Sequence, residues 1–295
     1  MPRQHIGWIG TGVMGRSMCS HIIEAGYPVR VYTRTKEKAS ALLETGAIWC
    51  NSPEEIAGSS DIIFTMVGYP EDVEEVYLSR TGILVHAEPG AILVDMSTSR
   101  PSLARKIFQE AANRGCHALD APVSGGDIGA REATLAIMAG GERETFEKVL
   151  PLLRILGRNI SLMGGPGAGQ HTKMSNQILI ASTMIGVVES LLYAYKAGLN
   201  QEAVIDIIST GAAGSWSLNN LGRRIIKGDF NPGFFIKHFI KDMGIALDEA
   251  RRMKLALPGL ALALQFYTAA AAQGWEDLGT QGLYKVFERM NDRAP

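Results

Sequence analysis

The chain has 295 residues, 46% of them apolar, and a formal net charge of −1 from 29 basic against 30 acidic residues. That length suits one large domain or two ordinary ones, and the balanced charge leaves no electrostatic footprint for nucleic acid or an anionic membrane. Three cysteines, Cys19, Cys50 and Cys116, lack CxxC spacing, and the six histidines show no HExxH pair. This argues against a disulfide framework or a metal site and leads to the expectation of a reducing, cytoplasmic setting.

The opening MPRQHIGWIGTG does not read as a signal peptide, because its apolar run is short and broken by glycines. A strand is expected over 5–9, then a helix over 13–25 ended by Gly26. A second strand follows at 28–33 and a second helix at 36–45. Further strands are expected near 48–50, 61–67, 91–95, 117–121, 134–139 and 159–163, with helices at 101–114 and 142–156. Strand and helix alternating at this spacing predict βαβ units and a largely parallel sheet. After the glycine-rich MGGPGAG the strands stop. Helices are expected at about 168–197, 201–210, 216–227, 235–254, 258–273 and 279–290. The expected fold class is therefore α/β: an alternating domain over 1–163, then an all-helical domain over 164–295 entered by a long interdomain helix starting near 168. The apolar runs 178–195 and 255–272 are expected as soluble helices buried on most sides, not as membrane spans.

Gly10-Thr11-Gly12-Val13-Met14-Gly15 matches G-x-G-x-x-G. Alone the match is weak; following a strand and opening a helix, it has the setting that a dinucleotide pyrophosphate requires, so 1–163 is expected to be a Rossmann-type dinucleotide-binding domain. Gly10 permits the tight turn, Gly12 the close approach of the phosphates and Gly15 the helix packing. The helix N-terminus supplies amides and positive potential. NAD enzymes of this fold place an acid at the end of the second strand. Here that end reads Thr33-Arg34-Thr35, with no acid before Glu37. Arg34 is placed to hold a 2′-phosphate with the two hydroxyls beside it, so NADP is favoured over NAD.

Three further stretches are Asp120-Ala-Pro-Val-Ser-Gly-Gly-Asp-Ile-Gly-Ala130, Gly167-Ala-Gly-Gln-His-Thr-Lys-Met-Ser-Asn-Gln177 and Lys241-Asp-Met-Gly-Ile-Ala-Leu247. With the phosphate loop, in this order and spacing, they resemble the β-hydroxyacid dehydrogenase family, which includes 3-hydroxyisobutyrate dehydrogenases and tartronate and succinic semialdehyde reductases. The resemblance covers nearly the whole chain. It implies Lys173 as the catalytic lysine, Asn176 as a substrate-orienting residue and Ser124-Gly125-Gly126 as the substrate loop. It implies Lys241 near the nicotinamide end with Asp242 as its neighbour in the cofactor site, Asp95-Met-Ser97-Thr98 as the segment that meets the nicotinamide and the substrate, and Met66 and Val67 at a cofactor-contacting strand end. The family commonly carries Gly-Thr-Leu where this chain has Ala133-Thr134-Leu135, a change expected to fall in a supporting strand.

The residues suit that chemistry. Two glycines let backbone amides meet a carboxylate, and Ser124 adds a hydroxyl. A lysine in a dry cleft can give a proton to a carbonyl oxygen as hydride reaches carbon, and take it back in oxidation. Lys173, Asn176 and Gln177 share one helix face. Phe235 is the aromatic residue best placed to wall a pocket, and His171 is expected to be structural. The expected function is NADP-dependent interconversion of a small hydroxyacid and its aldehyde or keto acid by a homodimer or homotetramer. An imine reductase-like enzyme and a non-catalytic NADP-binding scaffold are the alternatives. Lys173 weighs against both.

Overall fold

The computed structural model describes residues 4–291. The opening three residues of the segment read above for a signal peptide, and the outer ends of both expected domains, lie outside them. By its internal contacts the chain divides into two units, Met1–Lys173 and Met174–Pro295.

The first unit is built on nine strands: β1 (Ile6–Ile9), β2 (Val29–Tyr32), β3 (Ile48–Trp49), β4 (Ile62–Thr65), β5 (Ile92–Asp95), β6 (His117–Asp120), β7 (Val123–Ser124), β8 (Leu135–Gly140) and β9 (Gly157–Gly164). Their order across the sheet is β3-β2-β1-β4-β5-β6-β8-β7, with β9 beside β8. The first six run parallel, β8 is antiparallel to β6 and β7, and β9 is again parallel to β8. The central strands β1, β4 and β5 are apolar runs because both of their faces are covered. Side chains alternate between two cores: Ile6, Trp8, Ile62, Phe64, Ile92 and Val94 enter one, and Ile9, Ile63 and Leu93 the other. Trp8 stacks on Phe64 at 5.4 Å between centroids. Each fully buried side chain of this size stabilises the sheet by about 1.5–3 kcal/mol relative to its exposed state.

Several short helices lie where none is expected from the sequence: Pro53–Ala57, Pro70–Leu78, Ile83–His86 and Gly126–Arg131. Proline opens the first two, where its missing N–H costs nothing and its fixed φ is already helical. Ser52 caps the first by accepting from the Glu55 amide. The segment 36–45 forms a 3-10 turn, Lys36–Ala39, before the α-helical Ser40–Glu44. Ala133 is not in a supporting strand. It sits in the turn before β8 at φ 52°, a left-handed conformation in which a side chain is strained.

The second unit is helical, with helices Gln201–Ile208, Ile236–Arg252, Pro258–Ala271 and Leu283–Met290 and a π-helical stretch Ser217–Gly222 inside the expected 216–227 helix. Phe239 meets Tyr267 edge-on at 5.0 Å in its core, and the Tyr267 hydroxyl donates to Thr280 O. The long helix Ala168–Lys196 begins in the first unit and continues into the second. The unit division falls inside this helix because its first turn is bonded to the strand ends of the first unit.

The two apolar runs correct the expectation of burial. In the long helix, 39% of the most apolar 18-residue window is buried, and Leu179, Tyr193 and Tyr195 are exposed. Leu255 and Leu262 are exposed in the other run. By length and hydropathy alone the long helix could cross a membrane.

Candidate active site

The phosphate loop joins β1 to the helix Val13–Glu24. A Cβ on Gly10, at φ 96°, would collide with the Met66 carbonyl, and one on Gly15 with the Gly10 carbonyl. Gly12, by contrast, opens onto free space. It also stands at the helix N-terminus, where no side chain makes a cap bond. The Trp8 indole N–H donates to Gly10 O at 3.0 Å and fixes the loop from below. The Thr11 hydroxyl is buried with no hydrogen-bond partner. Uncapped amides, an open approach at Gly12 and an unused buried donor fit a bound pyrophosphate. Val13 is exposed beside the loop and Met14 is partly buried.

Thr33, Arg34 and Thr35 follow β2, with Arg34 and Thr35 exposed. Arg34 Nη1 lies 2.9 Å from Asp72 Oδ1, on the helix Pro70–Leu78. Met66 and Val67 leave the end of β4, the Met66 amide bonding Ile9 O. At the end of β5 the Asp95 carboxylate accepts from Thr65 Oγ1 at 2.9 Å and from the Ser97 amide at 3.0 Å. The Ser97 hydroxyl accepts from the Val67 amide at 2.9 Å. Tyr77 OH lies 2.9 Å from Thr65 Oγ1, and burial pushes this phenol well above its ordinary range, with Asp95 adding to the effect. The strand ends that carry Met66, Val67, Ser97 and Thr98 are thus held by a buried polar chain.

Ser124 closes β7, and Gly125 and Gly126 take φ of 132° and 63°, so both need glycine. The turn leads into the short helix Gly126–Arg131, where Arg131 pairs with Asp127 at 2.6 Å.

Lys173 is buried at 7% exposure in the second turn of the long helix. Asp120, at the end of β6, accepts from the amides of Gly167 and Gln170, each at 2.8 Å, and so caps that helix. Burial pushes the Asp120 carboxyl up to about 6. The two amides oppose that rise, and neighbouring Asp95, its register partner on β5, adds to it. His171 Nε2 lies 3.3 Å from Arg105 Nη1.

Further along the helix, in the second unit, Asn176 Nδ2 donates to Gln177 Oε1 at 2.8 Å. Gln177 Nε2 donates to Asp242 Oδ2 at 2.6 Å. Lys241 Nζ lies 3.0 Å from Asp242 Oδ1. Asp242 is wholly buried, with 0% exposure. It anchors Lys241 and, through Gln177, Asn176, and presents no surface of its own. Phe235 lies just before the helix that carries this pair, its ring edge-on to His238 at 5.7 Å and under Lys237 Nζ at 5.1 Å.

Three residues that organise these sites carry no role in the sequence reading: Asp72, Asp120 and Gln170, while Asp95 enters there as part of the segment Asp95-Met-Ser97-Thr98. Gln170 was discoverable, being a polar residue three positions before Lys173 on one face of an apolar helix. Asp120 stood at the head of a quoted motif without a role.

A glycine loop between strand and helix at the centre of a parallel sheet, with a buried lysine on the long helix that follows the last strand, defines a nicotinamide-dinucleotide oxidoreductase. Residues 5–165 match the NAD binding domain of 6-phosphogluconate dehydrogenase, and residues 167–287 match the NAD-binding region of NADP-dependent 3-hydroxyisobutyrate dehydrogenase. An uncharacterized oxidoreductase of Bacillus subtilis (strain 168) is 57% identical over 285 residues, covering 97% of this chain and 99% of that protein. The 2-hydroxy-3-oxopropionate reductase of Escherichia coli (strain K12) is 40% identical over 285 residues, covering 97% of each. The structure of Mycobacterium tuberculosis 3-hydroxyisobutyrate dehydrogenase with L-serine is similar at TM-score 0.88 and 30% identity, covering 97% of this chain and 99% of that one. The chain belongs to the β-hydroxyacid dehydrogenase family.

Proposed function

We propose that the protein interconverts a small hydroxyacid and its aldehyde or keto acid, using NADP in preference to NAD, with Lys173 as general acid and base. The observation that carries this reading is the placement of Lys173: a buried cation one turn beyond a helix start that is fastened to the ends of β5 and β6. A buried lysine is costly unless it has work to do or a partner to hold it.

When bound, the nicotinamide ring supplies hydride to the carbonyl carbon or takes it from the alcohol carbon. The amides of the phosphate loop bind the pyrophosphate, and Arg34 with Thr33 and Thr35 holds the 2′-phosphate. Ser124 and the amides at Gly125 and Gly126 anchor the substrate carboxylate. Asn176 orients the substrate, and Lys241 contributes positive charge at the nicotinamide end. In reduction Lys173 Nζ gives one proton to the carbonyl oxygen; in oxidation it removes one from the hydroxyl. The relatives named for 3-hydroxyisobutyrate and 2-hydroxy-3-oxopropionate support this substrate class. Phe235 is proposed as a pocket wall that selects what lies beyond the carboxylate.

The proposal includes a homodimer or homotetramer, supported by the exposed Leu179, Tyr193 and Tyr195 on the long helix. It places the enzyme in the cytoplasm, which suits three buried, unbridged cysteines. The test follows NADPH and NADH absorbance separately with succinic, methylmalonic and tartronic semialdehydes, glyoxylate and L-serine, beside Lys173→Ala. Turnover by the parent that is lost in the variant supports the reading. Tight dinucleotide binding without turnover on any substrate overturns it.

A further inference from the structure

We infer that Gln170 is a positioning residue that fixes the spacing between the hydride-accepting end of the dinucleotide site and the Lys173 ammonium. The inference rests on the function proposed above.

Gln170 is fully buried, at 0% exposure, and bonds at three points. Its amide N–H donates to Asp120 Oδ2 at 2.8 Å, on the end of β6. Its side-chain Oε1 accepts from the Ser99 amide at 2.9 Å, and its Nε2 donates to Ser97 O at 2.8 Å. The loop it grips is itself tied down, because Ser97 bonds Asp95 through its amide and Val67 through its hydroxyl. Hydrogen bonds therefore tie the segment after β4, through Ser97, to the first turn of the helix that carries Lys173. A carboxamide offers a donor and an acceptor at once, with no change of protonation state. The residue lies three positions from Lys173, so the two share a helix face. Its grip sets both the rotation and the advance of that face relative to Ser97 and Thr98. Placement matters here because proton and hydride must reach adjacent atoms, and an error of about 1 Å costs on the order of 10²-fold in rate.

The experiment compares the parent with Gln170→Met, which keeps the volume and loses both bonds, and Gln170→Glu, which keeps the acceptor and loses the donor. Steady-state kinetics are run with NADPH and with its 4-deuterated form, and dinucleotide affinity is measured by titration calorimetry. The expected result is a fall in kcat of about tenfold to a hundredfold. NADP+ affinity should stay within twofold of the parent. The primary isotope effect should rise as hydride transfer becomes limiting. A folded Gln170→Met with parental kcat and isotope effect overturns the inference. So does failure of both variants to fold, since Gln170 would then be structural. Absence of turnover in the parent overturns the function itself and this inference with it. Parental turnover lost in Lys173→Ala but kept in Gln170→Met overturns the inference alone.

Discussion

Arg34 Nη1 and Asp72 Oδ1 form an ion pair of 2.9 Å between the segment after β2 and the helix Pro70–Leu78. Asp72 is itself fixed, its second oxygen accepting from the Tyr69 amide at 3.1 Å. The acid missing from the end of the second strand is thus supplied by another element, and it faces the arginine that should grip a 2′-phosphate.

A carboxylate held there opposes a phosphate dianion. Asp72→Asn should therefore tighten NADP+ binding about threefold to tenfold while leaving NAD+ nearly unchanged, an effect on the order of 1 kcal/mol for a pair whose arginine is exposed to solvent. Arg34→Ala should weaken NADP+ alone. Calorimetry with both dinucleotides on each variant decides the matter, and equal changes for NAD+ and NADP+ would remove Arg34 from the 2′-phosphate site.

Lys173→Ala should lower kcat/KM by roughly 10²–10⁴, the range of general acid–base catalysis. Dinucleotide affinity should be retained, because the phosphate loop does not depend on this side chain. A variant that loses NADP+ binding as well would mean that the lysine supports the fold.

Asp120 should make stability depend on pH. Its folded carboxyl sits at about 6 against an ordinary 3.8, so the neutral form is favoured by folding. That contribution is fully present below about pH 4 and is lost as pH rises through about 6. The total is roughly 3 kcal/mol at about 1.4 kcal/mol per pH unit. Asp95 is the charged neighbour that reinforces the trend. Urea unfolding between pH 4 and 7 should show this fall in the parent and a flatter profile in Asp120→Asn. Parallel profiles would refute the assignment.

Ala133 holds a left-handed backbone at φ 52°. Relieving it with Ala133→Gly should stabilise the chain by about 0.5–1 kcal/mol, the relief of strain exceeding the entropy that glycine adds to the unfolded chain. The urea midpoint reports it, and an unchanged or lower midpoint would show that the turn tolerates alanine without strain.

The major elements of both units were legible because their signals are long: alternating strands and helices, then helices alone. The short helices were not read, although proline at the first position and Ser52 with Glu55 mark Pro53–Ala57. Their few residues give the 3.6-residue period too little length to register. In the candidate site, the glycine loop and Lys173 announce themselves by motif. Asp72 and Asp120 do not, because their roles come from the register of strands and the approach of distant helices, and Asp95 shows only as part of a segment, without its strand-end bonds. Asp95 and Asp120 are neighbours only because β5 and β6 pair residue for residue.

The indole of Trp8 donates to Gly10 O while its ring lies stacked on Phe64 with no exposure to solvent. The protein therefore carries a native optical gauge of its phosphate loop. Occupation of the loop that shifts Gly10 perturbs a shielded fluorophore directly, so dinucleotide capture can be followed by intrinsic emission in the unlabelled chain, at stopped-flow speed, with no turnover required.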